Sequence, residues 1–252
     1  MFEVSLDLAL SLIGAAFVAG FVDSIAGGGG LITLPVLLLA GATPLQAFST
    51  NKVQGAFGAA TAALTYAAKG QVNLRAQLGA ASLAFLSGLA GAFLVSVLPT
   101  EALRRVLPFV LIAIAAFFAF RKGLDDTDRV ERIRPAAFTA FVVPLIGFYD
   151  GLIGPGAGAF YMIGFVMLAG YGVLRATAHT KLLNFASNLG GLAAFAVIGA
   201  PWWVTGIAMG LAQVAGASLG ARLAMKKGAR LIKPLLVVTS TALAVRLIWQ
   251  MI

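Results

Sequence analysis

Cysteine is absent from the 252 residues, which excludes disulfides, thiol catalysis and thiolate-held iron–sulfur clusters. A single histidine, His179, leaves too few imidazoles for a histidine-based metal site. Charge is scarce: 11% of residues are Asp, Glu, Lys or Arg, with nine acids against 18 bases. Three motifs are also missing. There is no GxxxxGK[ST] phosphate loop, no GxSxG nucleophile elbow and no HExxH zinc helix. ATP hydrolysis and intramembrane enzymology therefore lack support, and no cofactor or metal is expected. A net charge of +9 raises the question of nucleic acid, but no basic stripe carries interleaved aromatics, so nucleic acid is not an expected partner. Residues 1–7 hold two acids and no base, the wrong charge for the start of a cleavable signal peptide.

Apolar residues are what the chain has in abundance, at 60% with a mean hydropathy of +0.98. Apolar runs of about twenty residues recur, the length that crosses roughly 30 Å of hydrocarbon. The expected fold class is an all-α polytopic membrane protein in a lipid bilayer. Five apolar segments fall in the first half, at 4–22, 31–40, 44–68, 76–98 and 102–120. A charged stretch, 121–134, follows, and the second half repeats the plan at 135–149, 159–169, 173–198, 202–225 and 231–251. The expected division is a first repeat over 1–121, a charged cytoplasmic linker over 122–134 and a second repeat over 135–252.

The repeat has a register. A shift of 127 places Gly20, Phe21, Asp23, Gly27 and Gly29 on Gly147, Phe148, Asp150, Gly154 and Gly156. A shift of 129 then places Gly41, Lys52, Gly91 and Leu94 on Gly170, Lys181, Gly220 and Leu223. A matched Asp followed by a matched Lys in uncharged surroundings carries more weight than matched glycines or leucines. Lys69 and Arg75 make one loop basic in the first half, whereas Lys226, Lys227, Arg230 and Lys233 mark a loop one connection later in the second. With basic loops taken as cytoplasmic, the halves run in opposite directions and both termini lie outside. Each repeat is then four full helices plus one short broken or re-entrant helix at a glycine-rich loop. A re-entrant second segment would instead make the count even and the repeats parallel.

The stretch from Gly20 to Gly30, with four consecutive glycines at Gly27, Gly28, Gly29 and Gly30, is expected to interrupt a helix. Glycine costs a helix interior about 1 kcal/mol relative to alanine. The second copy runs from Gly147 to Gly158 and contains Gly154 and Gly156. Such breaks are tolerated in a membrane only where protein or a wet cavity satisfies the backbone. A short helix starting after each loop presents N–H groups and about half a positive charge, which suits an anion. Gly88, Gly91, Gly216 and Gly220 read instead as sites of close helix packing.

Lys52 and Lys181 each lie about eight residues, or about 12 Å, into their helices. An ammonium at that depth costs about 2.5–3.5 kcal/mol on insertion scales and requires a partner. Asp23 or Asp150 could form a structural ion pair with it, or couple proton movement; a substrate anion could equally attract it. Asn51 and Gln54 flank Lys52, and Thr180 and Asn184 flank Lys181, with His179 among the polar lining residues. The alternative for these polar groups is helix–helix hydrogen bonding.

GFVDSIAGGGGLITLP, followed by STNKVQG at 49–55, resembles the first-repeat motifs of the sulfite exporter TauE/SafE family. GFYDGLIGPGAGAF and HTKLLNFASNLG are similar to its second repeat. The resemblance covers essentially the whole chain. It implies a multi-pass secondary transporter of the bacterial inner membrane, moving sulfite or organosulfur anions. Lys52, Lys181, Asn51, Thr180, Asn184 and Gln54, with the two glycine loops, are the expected substrate contacts, and protons or another ion could be co-transported. The sequence leaves room for a homodimer. A membrane scaffold or assembly factor, and an anion channel, are the alternatives.

Overall fold

In the computed structural model, residues 2–95, 112, 116, 120, 124–199 and 201–249 are described, and the regular structure among them is helical. The helices are α1 (Leu6–Ala26), α2 (Gly29–Leu39), α3 (Pro44–Ala67), α4 (Leu78–Val95), α5 (Pro135–Leu152), α6 (Ala157–Met167), α7 (Val173–Ile198), α8 (Trp203–Lys227) and α9 (Ala229–Trp249). The segment expected at 102–120 lies outside the described residues, apart from Ile112, Ala116 and Phe120, as do residue 121 and residues 122–123 of the linker. Among the described residues, five helices are long and apolar enough to cross a membrane: α1, α4 with the turn that begins it at Arg75, α5, α7 and α8. The chain is therefore a multi-pass membrane protein by the length and composition of its helices.

The break in the first glycine stretch is narrower than the sequence suggests. Helix α1 runs through Gly20 and Asp23 to Ala26, and only Gly27 (φ 78°) and Gly28 (φ 96°) leave helical geometry, in a region that side chains avoid. Gly29 and Gly30 form the first turn of α2, because Gly29 N–H donates to Asp23 Oδ1 at 2.9 Å and the preceding helix thereby caps the new one. Gly154 (φ 88°) and Gly156 (φ 86°) make the second break in the same way.

Both short helices fold back along the helix before them. Phe138 of α5 meets Phe165 of α6 at a ring-centroid distance of 4.7 Å, and Tyr161 donates its hydroxyl to Val143 O at 3.3 Å. At the tip, Tyr149 donates to Pro155 O at 2.6 Å. The last carbonyl of this return, Leu168 O, accepts Arg132 N–H at 2.8 Å, beside the start of α5. The α5–α6 hairpin therefore enters and leaves on one side. Leu12 and Ala16 of α1 pack with Leu34 and Leu37 of α2, which gives the first hairpin the same form.

Helix α1 packs on α8, α5 on α4, α4 on α7 and α8 on α3, with α3 and α7 against each other at the centre. Small residues make these approaches possible. A Cβ added at Gly216 would strike Phe17 O, one at Gly91 would strike Phe148 O, and Gly88 and Gly220 are equally close to Ser187 and Phe21. In lipid, where apolar burial drives little, such backbone proximity supplies the dispersion that holds helices together. Helix α3 has 24 residues but is too polar to rank among the five spans; Ser49, Thr50, Asn51, Lys52 and Gln54 are all buried within the bundle. Thr43 and Gln46 form a reciprocal capping box at its start, with Pro44 in the first turn.

Carboxylates staple the helix ends outside the apolar layer. Glu3 accepts Val204 N–H and Thr205 N–H at 3.0 Å each and so caps α8. On the opposite side, Asp126 accepts Leu174 N–H at 2.9 Å and Ala229 N–H at 3.0 Å, capping α7 and α9 together. The described part of the charged linker is thus bound to helix ends by its own backbone and side chains. Asp125 O also accepts Val173 N–H at 2.9 Å.

Candidate functional site

Helix α3 meets α7 where the two glycine loops touch. A Cβ built on Gly27 would lie 2.9 Å from the carbonyl carbon of Gly158, so the tips of the two hairpins are in contact. Beside them is a cavity of about 30 Å³, lined by the first turns of α2 and α6 and by side chains of α3, α7 and α8. A water needs about 10–15 Å³ on this measure, so the space holds about two waters or one small polar group. The caps Gly28 and Gly156 and the first-turn residues Gly29, Gly30, Ala157 and Gly158 all line it. The positive ends of two helix dipoles therefore meet one small volume.

Two buried ion pairs flank this space, and each lysine reaches the aspartate of the other hairpin. Lys52 Nζ stands 2.8 Å from Asp150 Oδ1 and donates to Asp150 O at 2.6 Å, with both residues 2% exposed. The second oxygen of Asp150 accepts the hydroxyl of Ser187 and Asn188 Nδ2, the latter at 3.4 Å. Lys181 donates to Asp23 O and lies 3.7 Å from Asp23 Oδ2, while Asp23 Oδ1 holds Gly29 N–H. The lysine is fully buried and the Asp23 side chain is 13% exposed.

A chain of carboxamides completes the lining. Gln213 Nε2 donates to Gln54 Oε1; Gln54 Nε2 donates to Thr33 Oγ1 at 2.7 Å and to Asn51 Oδ1 at 2.8 Å. Thr33 Oγ1 donates to Asn51 Oδ1 at 2.8 Å. Across the cavity, Asn188 Nδ2 donates to Asn184 Oδ1 at 3.2 Å and to Asn184 O at 2.7 Å. These groups can solvate a small polar solute within the apolar layer.

The family model for the sulfite exporter TauE/SafE proteins matches residues 12–247. The chain belongs to the sulfite exporter TauE/SafE family. It is 52% identical over 248 residues to "Probable membrane transporter protein ORF9" of a Sinorhizobium species, covering 98% of this chain and 95% of that protein. "Probable membrane transporter protein YfcA" of Escherichia coli K12 is 40% identical, covering 99% and 93%. A "Probable membrane transporter protein" of Haemophilus influenzae is 38% identical, covering 98% and 97%. No solved structure matches the chain significantly.

Against this TauE/SafE membership, the expected contacts divide. Asn51, Gln54, Asn184, Gly28, Gly29, Gly30, Gly154, Gly156 and both aspartates line the cavity. Lys52 and Lys181 do not; their ammonium groups stand behind Asp150 and Asp23. Gly27 serves the contact between the loops, and Thr180 is buried away from the cavity, its hydroxyl without a partner among the described residues. His179 is not a lining residue either. It packs on Tyr171 and Phe165 and meets Gln77 Nε2 through Nδ1 at 2.7 Å, tying α7 to the turn that begins α4.

Six lining residues were not named among the expected contacts: Gly55, Pro155, Ala157, Gly158, Asn188 and Gln213. Asn188 follows Asn184 by one helical turn, a spacing that was readable. Gln213 is a lone carboxamide among Gly and Ala in α8, and such a group in lipid signals a buried partner.

Proposed function

We propose that this protein is a secondary transporter of small anions, of the sulfite or organosulfur kind, with its binding site at the meeting of the glycine loops. The observation that carries the reading is the convergence of the α2 and α6 N-termini on one polar cavity flanked by two buried lysines. Helix N-termini bind anions without a basic side chain, and broken helices at a repeat interface are how repeat-built transporters form midplane sites.

The architecture belongs to the same reading: two homologous halves, 1–121 and 135–252, inverted in the bacterial inner membrane. Supporting it, each half opens with a hairpin that returns to its starting side, and in the second half three helices, α7, α8 and α9, follow that hairpin. Each lysine is paired across the halves, and the packing of α1 on α8 is mirrored by that of α5 on α4. Lys69, Arg75, Lys226, Lys227 and Arg230 then share the side of the 124–134 connector, which is cytoplasmic by the distribution of basic loops.

A monovalent anion leaving a cell with a negative interior gains about 2.3 kcal/mol per 100 mV. That alone sustains a gradient between about ten- and a hundredfold, so export needs no coupling ion. Uptake would need a co-transported cation, for which Asp23 and Asp150 are the protonatable groups.

The test is counterflow of labelled sulfite in proteoliposomes against a panel of thiosulfate, methanesulfonate, sulfate and chloride. Saturable exchange restricted to the sulfur oxyanions is the expected result. Flux that does not saturate indicates a channel, and none for any anion indicates a scaffold; either overturns the proposal.

A further inference from the structure

The amino groups of Asn51 and Asn184 border the cavity and donate no hydrogen bond among the described residues, so they are open to a ligand. Both residues are 6% exposed. A Cβ added at Gly30 would sit 3.1 Å from Asn51 Nδ2, and one at Gly158 would sit 3.8 Å from Asn184 Nδ2. Each amino group therefore faces the first turn of a short helix. Their oxygens are already committed: Asn51 Oδ1 accepts from Thr33 and Gln54, and Asn184 Oδ1 from Asn188.

What fixes the Asn51 amide is one step further back. Gln54 could present either end of its carboxamide to Asn51, and in the structure Gln213 Nε2 donates to Gln54 Oε1, which selects one of them. With that oxygen held, the Gln54 amino group must point at Thr33 and Asn51, and the Asn51 amino group must point into the cavity. Gln213 has a seat made for it. Added Cβ atoms at Gly58 and Gly20 would collide with its amide oxygen and its backbone, respectively.

We infer that Gln213 is a positioning residue for substrate selection: through Gln54 it locks Asn51 so that the cavity offers donors from both Asn51 and Asn184. The ligand selected is an oxyanion head group whose oxygens only accept hydrogen bonds where they meet these two amides. The inference rests on the anion-transport reading and names a determinant that reading does not contain. Removing the Gln213 donor leaves the Gln54 amide free to reverse, and Asn51 then shows its oxygen to the anion for part of the time.

The experiment is calorimetric binding of sulfite, thiosulfate and methanesulfonate to purified protein in detergent, with Gln213→Met, Gln54→Met and the double variant. Gln213→Met should weaken binding about tenfold, the worth of one misoriented hydrogen bond to a charged group. In the Gln54→Met background the same change should have no further effect, because the relay is already cut. Melting temperatures without ligand separate general loss of folding from loss of the site. Additive effects of the two changes, or wild-type affinity in Gln213→Met, overturn the inference while leaving anion transport intact. Wild-type protein that binds none of the three anions overturns the transport reading itself, and this inference with it.

Discussion

The two lysine–aspartate pairs occupy matching places and differ in tightness. Asp150 is saturated, with Lys52 at 2.8 Å on one oxygen and Ser187 and Asn188 on the other. Asp23 is shared between Gly29 N–H at 2.9 Å and Lys181 at 3.7 Å, and part of its side chain opens on the cavity. Matching positions in a repeat therefore do not imply matching duties. On the proposed anion-transport reading, the Lys52 pair is the fixed post of the site and the Lys181 pair the one an incoming anion can open. A loosely held carboxylate at a cavity edge can exchange its partner for water or substrate, whereas breaking a saturated buried pair leaves a bare charge in a dry surrounding.

The largest effect should come from Asp150→Asn, which removes the charge that Lys52, Ser187 and Asn188 all engage. A loss of about 3–5 kcal/mol is expected, with a clear fall in melting temperature and yield. Asp23→Asn should lose about 1.5–3 kcal/mol, the worth of a charge-assisted hydrogen bond. Equal losses measured by thermal unfolding in detergent would remove the distinction between the pairs.

Transport sharpens the same contrast. Lys181→Gln should raise KM for sulfite about ten- to a hundredfold with yield retained. Lys52→Gln should depress yield before KM can be compared. Transport by Lys181→Gln at wild-type KM would make both lysines structural.

Where the halves are alike, their responses should be alike. Gly91→Ala and Gly220→Ala, matched by the repeat register, each push a Cβ onto a carbonyl oxygen of the facing helix, Phe148 O in α5 and Phe21 O in α1 respectively. Each should destabilise by about 1–3 kcal/mol, the range for overpacking, and a thermal melt of the two variants side by side reads the symmetry directly.

The smallest effect lies outside the membrane. The Gly172 N–H and then the Arg175 guanidinium hold Asp128 below the usual aspartate value, outweighing partial burial. At Glu3 burial alone would raise the pKa, but hydrogen bonds from Thr205 and Val204 win and lower it. Both contributions to stability are present above the ordinary carboxylate values of 4.5 for Glu3 and 3.8 for Asp128 and are lost as pH falls through the lowered native values. Glu3→Gln and Asp128→Asn should flatten the acid limb of a melting-temperature profile slightly, since both carboxylates are largely exposed and solvent-screened.

Much of this was legible in one dimension. Hydropathy over about twenty residues marks the spans, because crossing a bilayer is a constraint on local composition. Positive φ at Gly27, Gly28, Gly154 and Gly156 is a backbone demand that glycine answers wherever it sits, so both loops could be read from the chain. Lys52 and Lys181 drew notice because a charge in hydrocarbon needs a partner.

Which partner each one takes was decided by tertiary structure alone. Lys52 meets an aspartate 98 residues away and Lys181 one 158 residues away, each on the other hairpin, and no periodicity reaches that far. The lysines' retreat behind the cavity, the carboxamide relay from Gln213 and the double cap by Asp126 are likewise products of which helix faces which. Local pattern sets what each helix buries. Only the packing of glycine-bearing faces, one helix backbone against another, sets which buried groups meet.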